Sequence, residues 1–213
     1  MLFRSANALL AQPTLLLNVT LDSQKRVTGV YAGDLVQAHD AGIEACRRQA
    51  LVEVDAAFDI VVTTNGGYPA DLNLYQSVKG IMVAARALER GGHILLAAEC
   101  EEGIGQDYGQ ILARYGSPLE LLDALTAPGA EPIEDGWQAQ LQAIAQAKGT
   151  VWLHSSLDEA TTRATHLRPC PDLASTVLAL QAEIEGREGR PARIGVLPFG
   201  QQAVPVVREA LPA

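Results

Sequence analysis

Residues 58–80, FDIVVTTNGGYPADLNLYQSVKG, decide the fold. The apolar run Ile60 to Thr64 reads as a buried strand that ends in Asn65-Gly66-Gly67. Two adjacent glycines at a strand end let the backbone turn sharply and approach a ligand closely. The next segment reads as a long helix over 71–90, whose start offers free backbone N–H groups and a positive dipole end. Tyr75 and Lys79 are four residues apart and share one helix face, with Gln76 beside them. Leu72, Val78, Met82, Ala85 and Leu88 can supply the packing face, which leaves the phenol, amide and ammonium for a cleft. They would stand at the carboxyl edge of a sheet, where open α/β folds bind ligands. A tight turn that needs positive φ, with no ligand, explains the glycines equally well. The stretch matches neither the dinucleotide fingerprint G-x-G-x-x-G nor the Walker pattern.

Outward from this stretch, strands and helices alternate. HILLAAE (93–99) and TVWLHS (150–155) are continuous apolar runs of the kind a doubly covered strand needs, and ARIGVLPFG (192–200) reads as the last strand of the set. Helices are expected over 34–49, 108–127 with a break at Ser117-Pro118, 133–148, 158–164 and 172–185. Gly91-Gly92 would stop helix 71–90. The pattern predicts a three-layer α/β/α domain with a mostly parallel sheet. TLLLNVTLD (14–22) reads as a buried strand and pairs with 27–33 in an N-terminal β-hairpin that would add antiparallel strands at an edge. Leu2, Phe3, Ala6, Leu9 and Leu10 fall on one face, so 1–12 reads as the remnant of an inter-domain helix, with 13–213 a single α/β domain.

Composition narrows the function classes. The net charge of −9 argues against nucleic acid as a partner, since such a surface must be basic. Charged residues make up only 19% of the chain, too few for a disordered one. No apolar run is long enough to span a membrane. Cys46, Cys100 and Cys170 are an odd set without framework spacing and read as reduced thiols of a cytoplasmic protein. Cys100 has no evident histidine partner, and His166 with Cys170 is too small a set for zinc. Glu99 and Glu102 follow a core strand, so they would line the same edge as Asn65 or stand solvated there. Trp137 by itself reads as a packing residue.

Taken together, LLLNVTLD (15–22), AGD…AH (32–39), DIVVTTNGGYP (59–69), NLYQSVKG (73–80), AAECEEGIG (97–105), GWQAQ (136–140) and LPFGQQAVPVV (197–207) resemble the C-terminal half of the nickel-dependent lactate racemase family. The resemblance implies a two-domain α/β enzyme with a nickel-pincer nucleotide in the cleft between its domains. It implies racemisation of an α-hydroxy acid by hydride removal from Cα and return on the other face, with two histidines serving the hydroxyl. Carried onto this chain, it marks Tyr75, Gln76, Lys79 and Trp137 as substrate-binding and Asn65, Gly66 and Gly67 as cofactor-facing. It also implies an N-terminal racemase domain as partner, in cis or in trans, and a small α-hydroxy acid as substrate. The family's cofactor-anchoring lysine, its nickel-binding histidine and its catalytic histidine pair have no counterpart here. His39, His93, His154 and His166 do not fill those roles, and the chain alone is expected to be inactive. The alternative is a non-catalytic α/β module that binds a small anion or a protein surface.

Overall fold

The computed structural model describes residues 8–9 and 14–208. The helix expected over 1–12 therefore lies, apart from residues 8 and 9, outside the described residues. Contacts gather in two compact units, Met1–Leu51 and Val52–Ala213, where the sequence reading ran 13–213 as one domain.

The first unit is a hairpin on a helix. Strand β1 (Leu15–Leu21) pairs antiparallel with β2 (Val27–Asp34), and α1 (Leu35–Ala50) follows directly. Asp34 starts that helix by accepting from the backbone N–H of Val36 and Gln37. Tyr31 turns inward onto Gly42 of α1, where an added Cβ would sit 3.5 Å from the ring. The hairpin is a sheet of its own and does not extend the central sheet, as the sequence had suggested. Nor is β1 buried: Leu15, Leu17, Val19 and Leu21 are all exposed. Of the apolar stripe on α1, Leu35 and Ala38 are buried with Ala45, while Ile43 and Cys46 are exposed.

In the second unit, β3 (Leu51–Val54) pairs with the last strand, β9 (Val204–Val207). Between them lie β4 (Phe58–Thr64), α2 (Leu74–Ala87), β5 (Leu88–Ala97), α3 (Gln106–Ala113), α4 (Pro118–Thr126), α5 (Gly136–Lys148), β6 (Thr150–His154), α6 (Glu159–Ala164), β7 (Arg168–Pro169), α7 (Leu173–Glu188) and β8 (Ile194–Leu197). The central sheet runs β7-β6-β5-β4-β8, with every pairing parallel. The chain steps outward from β4 to β7 and then returns to lay β8 on the far side of β4. That reversal is a topological switch point between β4 and β8.

Alternation along the strands builds the three layers. Val61, Ile94, Leu96, Val151 and Leu153 face one way and pack on Leu74, Val78 and Ile81 of α2 and on Ala139 and Ala143 of α5. Ile60 and Leu95 face the other way and pack on Leu180 and Ile184 of α7. Each such aliphatic side chain contributes about 1.5–3 kcal/mol on burial. Helix α2 is shorter than the sequence suggested. Asn73 caps it by accepting from Gln76 N–H, and it ends at Ala87. Leu88 already pairs with Phe58, and Glu89–Gly92 then loop out before His93 meets Ile60. Gly91 and Gly92 therefore shape a bulge and do not stop the helix. A Cβ at Gly92 would stand 2.6 Å from the Asp59 carbonyl.

Candidate functional site

The carboxyl ends of β4 and β8 meet at the switch point. Thr64 Oγ1 donates to Pro198 O at 2.5 Å and accepts from Gly66 N–H at 2.9 Å. Gly66 and Gly67 have φ of +92° and +78°, so the turn needs glycine for its backbone alone. Gly66 faces Phe199, whereas nothing lies within 4 Å of a Cβ built on Gly67. A cis peptide joins Tyr68 to Pro69.

Asn65 does not face the cleft. It is fully buried, and its amide is spent on the fold. Nδ2 donates to Ala70 O and, at 3.1 Å, to Gln76 O, while Oδ1 accepts from Gly80 N–H at 3.2 Å. The residue the sequence marked as cofactor-facing is thus a clamp that fixes the start of α2 to the end of β4. The ligand-side candidates stand on the helix it holds.

Those candidates separate into two pairs. Lys79 is exposed, and its ammonium lies 2.5 Å from Gln76 Oε1. Among the described residues no carboxylate lies within ion-pair distance of it. Tyr75 joins Trp137: their rings meet edge-on with centroids 6.3 Å apart, and Tyr108 closes on Tyr75 from another side at 5.6 Å. Tyr75 Oη donates to Asp135 Oδ1 at 3.0 Å. Burial first, and then the Asp135 carboxylate, push the Tyr75 phenol above its ordinary value. Trp137 is 54% exposed, so it forms a rim as well as a packing contact. The sequence reading missed Asp135. It stands two residues before Trp137 in a left-handed conformation, and no spacing rule ties it to a tyrosine sixty residues earlier.

Apart from these residues, a hollow of about 400 Å³ crosses the ends of β4, β5 and β6, lined by Thr64, Gly67, Asp71, Glu99, His154 and Ser156 among others. Glu99 joins it and Glu102 does not. Asp71, buried, accepts from Glu99 N–H at 3.2 Å, and His154 Nδ1 lies 2.7 Å from Cys170 O. Cys100 is buried, and burial raises its thiol to about 11, which leaves no thiolate near neutral pH. His166 Nε2 is engaged by Leu112 O. Among the described residues, no group of three His, Cys, Asp or Glu side chains could hold a metal ion, and no helix is long and apolar enough to cross a membrane.

A doubly wound parallel sheet with an exposed lysine, an amide and an aromatic rim near its carboxyl edge defines an α/β domain. Comparison with known proteins makes the class specific. Residues 53–205 match the family described as lactate racemase C-terminal domain, and the chain belongs to that family. It is 33% identical to a lactate racemase of Lactiplantibacillus plantarum over 194 residues, 89% of this chain and 44% of the relative. It is 31% identical to a lactate racemase of Thermoanaerobacterium thermosaccharolyticum over 91% of this chain and 45% of the relative. The solved lactate racemase apoprotein from T. thermosaccharolyticum superposes with a TM-score of 0.80 at 30% identity, over 92% of this chain and 46% of that one. A Thermotoga maritima structure at 14% identity and TM-score 0.61, covering 91% of this chain and 49% of that one, shares the fold. The chain thus spans under half the length of the curated relatives it matches, in their C-terminal part.

Proposed function

We propose that this chain is the substrate- and cofactor-facing C-terminal domain of a nickel-pincer-dependent α-hydroxy-acid racemase or epimerase, and that it works only with an N-terminal half. The observation that carries the reading is Lys79. In a chain of net charge −9, this exposed ammonium has, among the described residues, an uncharged amide and no carboxylate beside it. It is a point-charge donor suited to a small carboxylate. Gln76 orients it, and Asn65 fixes the helix that carries both.

The residues present fit one wall of the implied cofactor site and not its anchor. Gly67 leaves open space beside the turn, and Tyr75 with Trp137 offers an apolar rim that excludes water from the face of a flat group. Nickel ligands and the covalent anchor would come from the N-terminal half. When bound, the cofactor supplies a hydride acceptor and donor for the substrate Cα. This chain's part is positioning: Lys79 holds the carboxylate, Gln76 sets the lysine, and the Tyr75–Trp137 rim fixes how deep the substrate sits.

Because the Tyr75 proton is given to Asp135, the phenol offers a ligand its lone pairs. It is therefore suited to accept from the substrate hydroxyl. The test is to mix the chain with the cofactor-loaded N-terminal half of a lactate racemase and follow interconversion of D- and L-lactate and related hydroxy acids. Activity that Lys79→Ala removes, with association kept, is the expected result. An active mixture indifferent to Lys79→Ala would overturn the assignment of the lysine. An inactive complex would move the chain to the class of binding modules.

A further inference from the structure

The hairpin unit has a face for which its own fold supplies no use. Along β1, Leu16 turns inward at partial burial while Leu15, Leu17, Val19 and Leu21 turn out, and across from them Val30 on β2 does the same. Leu15 is 80% and Leu17 74% exposed. No charged side chain interrupts these five positions. A two-stranded hairpin on one helix is marginal by itself, and a segment of about 40 residues rarely buries enough to stand alone. The sequence of β1 is that of a strand covered on both faces, and α1 covers only one of them.

The comparisons locate this unit in the relatives' chain. The family match begins at residue 53, next to the division between the units at Leu51 and Val52. The match to the L. plantarum racemase nevertheless takes in 89% of this chain, more than residues 53–213 can supply. The hairpin unit therefore belongs to the racemase chain and yet lies outside its C-terminal family domain.

We propose that residues 14–51 are the closing piece of the preceding domain, and that the outer face of β1 and β2 is the surface on which the N-terminal half of a lactate racemase packs. This deepens the reading that the chain works with such a half, and it names where the two meet. The occupant must present an apolar layer, because the face holds Leu15, Leu17, Val19, Leu21 and Val30, with Asp34 opposite Leu15 as the one charge at its end. A second sheet, or a helix laid across the pleat, would meet this stripe of period two.

The experiment uses the full chain and the N-terminal half of the T. thermosaccharolyticum lactate racemase, made as separate polypeptides and mixed in an analytical ultracentrifuge. A one-to-one complex is expected. The double variant Leu17→Glu/Val30→Glu should weaken it about 100-fold or more, while Lys79→Ala associates like the unaltered chain. Because added charge could unfold the hairpin, a Leu17→Cys variant gives a second readout: its new thiol should react with a maleimide in the free chain and be shielded in the complex. Undiminished association of the glutamate variant with a thiol that stays reactive, no complex at all, or self-pairing through this face in place of the mixed complex would overturn the proposal. A complex that forms through this face and racemises nothing leaves the surface standing and sinks only the racemase reading.

Discussion

Two charged groups beside β4, Asp59 at its start and Lys79 just beyond its end, are treated in opposite ways. At the amino end, Asp59 is buried and accepts from both terminal nitrogens of Arg190, at 2.8 and 2.7 Å, and from Arg193 N–H at 2.8 Å. That cluster ties the start of β4 to the start of β8, and every charge in it has a partner. Beyond the carboxyl end of β4, Lys79 is exposed and, among the described residues, meets an amide and no carboxylate. A fold that pairs its charges at one end has the means to pair them at the other. Lys79 is left without a carboxylate partner among the described residues, while Asn65 beneath it is committed to structure.

Asn65→Ala should break this contrast most severely. It removes three hydrogen bonds made by a buried side chain and leaves Ala70 O without its partner, and each such loss costs about 1–3 kcal/mol. A loss on the order of 4 kcal/mol in denaturant unfolding is expected. Stability that survives while ligand binding falls would return Asn65 to the ligand side. Lys79→Ala comes next, with the opposite profile. The melting temperature should hold, and kcat/KM of the reconstituted enzyme should fall about 100-fold, equivalent to about 2.7 kcal/mol. Asp59→Asn follows at about 1–2 kcal/mol of stability, reduced from a fully buried pair because the Arg190 side chain is 43% exposed. The Arg190 guanidinium holds the Asp59 carboxyl below the ordinary carboxylate range. Its contribution is therefore complete above the unfolded value of about 3.9 and is lost as pH falls through the lower folded value. In an acid titration of stability, the Asp59→Asn chain should show a shallower decline below about pH 4.

The same contrast explains what could be read from the sequence. The parallel sheet, its helices and the Asn-Gly-Gly turn were legible because each rests on local pattern: a continuous apolar run, a 3.6-residue stripe, a pair of glycines. The ends of α2 were not. Gly91-Gly92 carries the signature of a helix stop, but Phe58 recruits Leu88 into the sheet and turns the glycines into a bulge. The short strand β3 went unread because its partner, β9, lies at the far end of the chain. Among the candidate residues, the adjacency of Gln76 and Lys79 was legible from helical spacing, and the two side chains do meet. Tyr75 was grouped with them, yet it is bonded to Asp135, a long-range contact that local pattern does not encode. The clamp made by the Asn65 side chain was not legible, since a turn asparagine at a ligand edge and one at a helix clamp have the same sequence.

The smallest expected effect is also the sharpest on that last pairing, Tyr75 with Asp135. Asp135→Asn keeps the shape and removes the charge beside Tyr75. Burial, the main cause of the raised phenol value, persists in the variant, while the carboxylate's share disappears. The Tyr75 titration should therefore move down toward the ordinary tyrosine range and stop short of it. Ultraviolet absorbance of the phenolate reads this directly, with Tyr75→Phe subtracted to isolate one of five tyrosines. Stability should change by less than about 1 kcal/mol, because the neutral amide still accepts from the phenol. A Tyr75 that titrates identically in both chains would show that its proton is not held by Asp135, and the phenol would then be free to donate to a substrate oxygen. In that case Tyr75 would join Lys79 among the groups proposed to meet the ligand, and the line between committed and available groups would run one helical turn further toward the amino end of α2.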